Sequence, residues 1–447
     1  MNTPIVDFVR QYRDSGAVRL HMPGHKGLGP LGVESLDITE INGADSLYEA
    51  SGIIRESEEN ASSLFGCPTF YSTEGSSQCI RAMLYLVTMY ARQKGIQRPL
   101  IAAGRNVHKT FLSAAALLDI EVDWLYPNDG EAYLCCDINA DKLERYFSEC
   151  ETLPVAVYIT SPDYLGNVLY VDQLVAICHH HGVLLVVDNA HGAYLKFLPN
   201  SRHPIDLGAD LCCDSAHKTL PVLTGGAYLH VSSFAPVCLR EQAKNALALF
   251  GSTSPSYLIL QSLDAANQLL ADSEYISGLA ALSRRVSGCR QALTSHGLNA
   301  DLGNEPLKLT IYPRNYGYSG IELAECLREN GIECEFSDPD FVVLMFTPAI
   351  PEADIQRLMD VLMALPRRAA VRSVPPMIHR PARVLSIREA ALSPGISLPV
   401  EECVGRVLQA ATVGCPPAVP IVVCGERIDK DALEVFRYYG ITHCNVI

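Results

Sequence analysis

The 447 residues predict an α/β protein whose large domain is built on a mostly parallel sheet, with smaller α/β units following it. Three observations predict this. Val183, Leu184, Leu185, Val186 and Val187 form an unbroken apolar run ending in Asp188, the pattern of a strand buried on both faces. Ala209 to Cys213 and Ala227 to Val231 read as two further short buried strands, with Asp214-Ser215-Ala216-His217-Lys218-Thr219-Leu220-Pro221 between them. From about residue 99 to 230 the order strand, loop, helix repeats, which calls for crossover helices between parallel strands.

Lys218 therefore stands where a strand has just ended, which is where α/β folds keep their chemistry. With Ser215 and His217 beside it and Gly225-Gly226 just beyond, it suits a Schiff base better than a solvated surface charge. One strand unit earlier, Asp188 ends its own strand. Strand, Asp, strand, Lys is the pattern of a pyridoxal 5'-phosphate (PLP) enzyme: the carboxylate keeps the pyridine nitrogen protonated and the lysine holds the aldehyde as an imine.

Composition bounds the alternatives. A chain this long exceeds one ordinary core, and 48% hydrophobic content is enough to fill two or three. No apolar run approaches the roughly 18 residues of a membrane helix, so no membrane partner is expected. The first residues lack a basic segment followed by an apolar one, so no secretory leader is expected. A net charge of −15 argues against a basic footprint for nucleic acid or an anionic membrane. The sixteen cysteines are scattered and lack zinc spacing, and free thiols in a reducing cytoplasm is the plain reading.

In chain order, residues 1–45 read as a short irregular arm with a turn at His21-Met22-Pro23-Gly24-His25-Lys26-Gly27, either lining a site entrance or capping the surface. Glu49 to Phe65 reads as a packing helix, with Ile53, Ile54, Leu64 and Phe65 inward and Arg55, Glu56, Glu58 and Glu59 outward. Gly75, Ser76 and Ser77 open the next amphipathic helix, where amides, hydroxyls and the helix dipole suit one phosphate; Ser-Ser is also ordinary N-capping.

Strand Pro99 to Ala103 leads into Arg105-Asn106-Val107-His108-Lys109-Thr110. Lys109 rivals Lys218 but precedes Asp188, so His108 is assigned as a ring that stacks on the cofactor, with a buried structural histidine as the alternative. Val155 to Thr160 is a strand with Asp163 in the loop at its end, and Val171 to His181 a helix. His179, His180 and His181 end that helix, where imidazoles suit the dipole and solvent, and no metal is expected. A helix ending near Phe250 precedes the polar loop of Ser252 and Thr253, and one long helical pattern then runs from Tyr257 to His296. Leu307 to Leu365 reads β-α-β-β-α, and Pro366 to Pro376 is a basic, proline-bearing linker.

Taken together, HMPGHKG, EGSSQ, RNVHK, DNAHGA, DSAHKTLP, GSTSPS and CPPAVP...CGE occur in an order that closely resembles the Orn/Lys/Arg decarboxylase family. The likeness covers nearly the whole chain, in a short form without an N-terminal wing domain. It implies the PLP-dependent fold type I, or aspartate aminotransferase-like, architecture. The corresponding divisions are an arm over 1–45, a PLP-binding large domain over 46–285, a small α/β domain over 286–370 and a C-terminal segment over 371–447.

Residue by residue, the resemblance makes Lys218 the imine lysine, Asp188 the partner of the pyridine nitrogen and His108 the stacking ring. Gly75, Ser76, Ser77, Ser215 and His217 become the phosphate site, and Ala190 lies beneath the ring. Ser252 and Thr253 would reach the phosphate of a neighbouring subunit, which implies a homodimer with shared active sites, or a higher oligomer. Glu426, or Asp163, would recognise the distal cation of a small amino acid substrate. Glu74, Asn189 and CPPAVP depart from the family pattern and bear on which substrate is used.

The activity implied is decarboxylation of a basic amino acid, arginine ahead of lysine and ornithine, in polyamine-related metabolism. Lys218 or His217 would return the proton to the α-carbon. Another fold type I reaction, such as transamination or elimination, shares the same Lys and Asp, and a non-catalytic PLP-binding protein is the rival of a different class.

Overall fold

A computed structural model of the chain describes residues 1–128, 131–373, 375–377, 380–410 and 417–447. In chain order the elements are α1 (Pro4–Asp14), α2 (Ile53–Phe65), β1 (Thr69–Ser72), α3 (Gly75–Gln93), β2 (Leu100–Gly104), α4 (Lys109–Leu118), β3 (Glu121–Leu125), α5 (Ala140–Glu149) and β4 (Ala156–Thr160). They continue as α6 (Val171–His180), β5 (Leu184–Asp188), β6 (Leu211–Asp214), α7 (Ala216–Thr219), β7 (Ala227–Val231), α8 (Val237–Glu241), α9 (Ala243–Phe250), α10 (Tyr257–Leu270) and α11 (Ser273–His296). The remainder is β8 (Lys308–Ile311), α12 (Gly320–Glu329), β9 (Phe336–Ser337), β10 (Val342–Met345), α13 (Glu352–Met363), α14 (Ile387–Leu392), β11 (Ile396–Pro399), β12 (Leu408–Ala410), α15 (Lys430–Tyr438) and β13 (His443–Val446).

The chain forms two compact units, one of Met1–Ile96 with Val171–Gly278 and one of Gln97–Tyr170 with Leu279–Ile447. In the first, strands lie in the order β1-β7-β6-β5. β5 and β6 run parallel, while β7 is antiparallel to both β6 and β1. All five residues of β5 and all four of β6 are buried, which explains their unbroken apolar sequence. In the second unit β2 is parallel to both β3 and β4. That unit also holds two three-stranded antiparallel sheets, β8-β10-β9 and β11-β13-β12. β8-α12-β9-β10-α13 is the predicted β-α-β-β-α run.

The structure corrects three expectations. The opening segment is not irregular throughout: α1 has Pro at its start and buries Ile5, Val6 and Val9 on one face. Asp264 holds this helix start, its Oδ2 accepting from the amides of Ile5 and Val6, each at 3.0 Å. Second, Glu58 of α2 faces inward, where it accepts from the Tyr71 amide at 2.9 Å and pairs with Lys244 Nζ. Third, the single long helix from Tyr257 is two, α10 and α11. The break falls at Asp272, whose Oδ1 accepts from the Glu274 amide at 2.9 Å and caps the second helix. Of the CPPAVP stretch, Cys415 and Pro416 lie outside the described residues. Among the described residues no helix is long and apolar enough to cross a membrane.

Candidate active site

The candidate site in the first unit is assembled at the ends of β5 and β6 and the start of α3. β5 ends at Asp188, which is 2% exposed. Its Oδ1 accepts from the Ala190 amide at 3.2 Å and lies 3.7 Å from Cys213 Sγ, so the carboxylate is held on a buried floor between two strand ends. The next residue joins the strands, with Asn189 N donating to Cys213 O at 3.0 Å and Asn189 Nδ2 to Asp214 Oδ1 at 2.6 Å.

Beyond β6 the chain makes the single turn α7, which carries His217 and Lys218. Lys218 is half-buried, and its Nζ lies 2.9 Å from His191 Nε2. His191 is itself buried, three residues after Asp188 within DNAHGA. No sequence motif assigns it a role; its signal is the three-residue spacing from Asp188, which acquires meaning only when β5 and β6 lie side by side. His217 is pinned twice to Gly226 O, by its amide at 3.2 Å and by Nδ1 at 3.0 Å.

The start of α3 meets this turn. Ser215 Oγ lies 2.7 Å from Ser76 Oγ, so two predicted phosphate hydroxyls converge. Gly75 N donates to Gly225 O at 2.7 Å, and a Cβ on Gly75 would sit 4.0 Å from His217 Cε1. Gly225 has φ of +99°, and a Cβ there would come within 2.9 Å of Thr73 O, so this close approach requires glycine. The N-cap residue Glu74 makes no side-chain capping bond, leaving a 19-residue helix whose positive end is not closed by its own carboxylate. That carboxylate instead receives the Ser252 amide. Ser252 and Thr253 are exposed.

These residues fit PLP: two hydroxyls and a helix N-terminus for the phosphate, a buried carboxylate for the ring nitrogen, and a lysine beside them. His203, Asp214 and His230 are the cluster among the described residues whose ligand atoms, within 4.8 Å of one another, could hold a metal. Both imidazole Nε2 atoms lie 3.0 Å from Asp214 Oδ2, an arrangement complete as hydrogen bonds.

His108, Glu426 and Asp163 belong to the second unit. His108 is the N-cap of α4, its Nδ1 accepting from the Thr110 amide at 3.1 Å, which fixes the ring plane. Glu426, 2% exposed, gives Oε2 to Arg105 Nη2 at 2.9 Å and to the Val423 amide at 2.8 Å. Burial raises its pKa, and Arg105 opposes that rise. Asp163, 4% exposed, accepts from the amides of Leu165 and Asn167 and from Asn167 Nδ2. Burial likewise raises its pKa against those hydrogen bonds. Both carboxylates offered for a substrate cation are thus engaged within the protein. His179 of the histidine run is exposed and pairs with Asp210 at 3.0 Å.

A lysine after one sheet strand, an aspartate ending its parallel neighbour and an anion-binding helix start define a fold type I PLP enzyme. Residues 3–301 match the Orn/Lys/Arg decarboxylase major domain, and the chain belongs to that family. It is a PLP-dependent decarboxylase of basic amino acids. The chain is 26% identical to an arginine decarboxylase of Bacillus subtilis, over 97% of this chain and 92% of that one. It is 28% identical to an arginine decarboxylase of Halalkalibacterium halodurans, over 97% and 93% respectively. The lysine decarboxylase of Francisella novicida shares the fold with a TM-score of 0.80 at 17% identity, over 100% of this chain and 81% of that one.

Proposed function

We propose that the protein decarboxylates arginine, with Lys218, Asp188, His108, His191 and His217 as its working residues. The observation that carries the residue assignment is Lys218 Nζ, 2.9 Å from an imidazole nitrogen and one strand away from a buried carboxylate. The names of the relatives matched over almost their whole length support arginine over lysine and ornithine.

When bound, PLP supplies a ring that accepts the electron pair released as CO₂ leaves the α-carbon. Asp188 keeps a proton on the ring nitrogen by offering a buried anionic acceptor. Ser76, Ser77, Ser215 and the amides of the α3 start would hold the phosphate, and Ala190 would contribute to the floor on which the ring rests. His108, its ring held by the Thr110 amide, is the imidazole that the family resemblance assigns to stacking on the coenzyme. His191 Nε2 takes a proton from Lys218 Nζ as that amine becomes nucleophilic. Lys218 returns a proton to the α-carbon, with His217, fixed through Gly226, as the alternative donor. Glu426 and Asp163 act by shaping their surroundings, as their internal partners support, rather than by touching the substrate.

A second copy is part of this reading. Val18, Leu20, Leu28 and Leu31 are 80–90% exposed in the arm, an apolar load that another subunit would cover. The exposed Ser252-Thr253 loop would then serve the neighbouring phosphate. A cytoplasmic location is supported by the thiols, since every cysteine described is free.

The test is CO₂ and amine release from PLP-loaded protein given arginine, lysine and ornithine in parallel, with Lys218→Ala as control. Release from arginine above the others, abolished in the control, is expected. A visible imine absorbance without release from any of the three would overturn the substrate assignment.

A further inference from the structure

Beneath the cofactor residues, the first unit buries a polar network whose members the decarboxylase assignment leaves without a role. Asp214 ends β6 and is fully buried, yet it remains ionised. Burial alone would raise its pKa, but His203 and His230 hold it well below the usual carboxylate range. Oδ2 takes both imidazoles at 3.0 Å, and Oδ1 takes Asn189 Nδ2 at 2.6 Å. The far nitrogens of the two rings are also occupied: His203 Nδ1 meets the Ile205 amide at 3.4 Å, and His230 Nδ1 meets Thr69 Oγ1 at 2.9 Å. An acceptor role at His203 Nδ1 leaves its hydrogen on Nε2, pointed at Asp214. Burial lowers the His230 pKa against the pull of Asp214. The anion is therefore stabilised by three donors, each locked by further contacts or by the sheet.

Two of the residues this anion controls flank the site. Asn189 directly follows Asp188, and Ser215 directly follows Asp214 and meets Ser76 at 2.7 Å. We infer that Asp214, gripped by His203 and His230, is a positioning residue that uses Asn189 to set the Asp188 carboxylate against the cofactor ring and Ser215 to set the phosphate hydroxyls. The inference rests on the PLP reading and goes beyond it, because Asp214, His203, His230 and Asn189 have no assigned contact with the cofactor. It also gives Asn189, a departure from the family pattern, a reason: a carboxylate there would face Asp214 Oδ1 with like charge.

The experiment compares PLP affinity and the induced circular dichroism of bound coenzyme in wild type, Asn189→Leu and Asp264→Asn. Asp264 is a matched control, a buried carboxylate of the same unit that holds α1 and Ser57. Asn189→Leu is expected to bind PLP roughly 10- to 100-fold more weakly, the loss of one hydrogen bond to a charged group, and to change the coenzyme's dichroism. Asp264→Asn is expected to change melting without moving either readout. If Asn189→Leu does not fold, Asn189→Ala, which removes the donor and adds no bulk, carries the same expectation. Affinity within twofold of wild type in either folded variant overturns the inference. So does a stoichiometric transition metal in the purified protein, because the imidazoles would then be ligands. Wild type that takes up no PLP sinks the decarboxylase reading itself, whereas wild-type uptake matched by the variant sinks only the positioning role.

Discussion

Asp338 shows what a single buried carboxyl does to this protein. It is 6% exposed, its Oδ1 accepts from the amides of Asp340 and Phe341, and its Oδ2 has no partner among the described residues. Burial pushes its pKa up to about 7, Asp340 adds to the rise, and Arg314 opposes it. A carboxyl whose folded pKa lies above its unfolded value keeps its proton longer when folded. Stability therefore falls as pH climbs from about 4 to about 7, and stays reduced above that. Asp338→Asn should raise the urea midpoint at pH 8 by the equivalent of about 1–2 kcal/mol, with the gap closing toward pH 4. An equal gap at both pH values would refute the assignment. At this scale the sequence was readable for position at strand ends, with Asp188 closing β5 and Lys218 in the turn after β6. It was unreadable where a partner lies far along the chain: Glu58 turns inward for Lys244, Glu426 for Arg105, and His191 gains its meaning from Lys218.

Elements were legible in proportion to their burial. β5 and β6 announced themselves by unbroken apolar runs, and α3 by its Gly-Ser-Ser start. α1 was hidden because its apolar face is short and its start is completed by Asp264, more than 250 residues away. The break between α10 and α11 was masked by continuous helix-forming sequence, although Asp272 ahead of Ser273 is a capping signal. The turn between α7 and β7 matters more than its length suggests, since it receives both Gly75 and His217. Gly225→Ala would force a β-carbon against Thr73 O in a backbone conformation that alanine adopts at a cost of roughly 1–2 kcal/mol. It should lower the melting temperature and weaken PLP binding together; a stability loss with unchanged affinity would separate this turn from the phosphate site.

For the whole molecule, the order of motifs was read more securely than the assembly. Family and cofactor followed from several short stretches in sequence order, each weak alone, whereas the arm's role depends on a surface that one chain leaves bare. Leu20 at 90% and Leu28 at 80% exposure would be costly in water if they stayed uncovered. Wild type should sediment as a dimer. Leu20→Asp with Leu28→Asp should shift it toward monomer and reduce decarboxylation, while far-ultraviolet circular dichroism stays the same. A dimer unaffected by both changes would move the interface elsewhere.

The floor around Asp188 also contains sulfur. Cys79, Cys212 and Cys213 are fully buried, and their thiols are pushed far above the ordinary range, first by burial and then by Asp188 and Asp214 among the surrounding groups. Thiolate is the reactive form, so these sulfurs are silent toward electrophiles and oxidants while the strands remain paired. The same packing that sets the carboxylates thus acts as a chemical seal: damage to this sulfur must wait for the sheet to open, and its rate is governed by local unfolding rather than by the reagent.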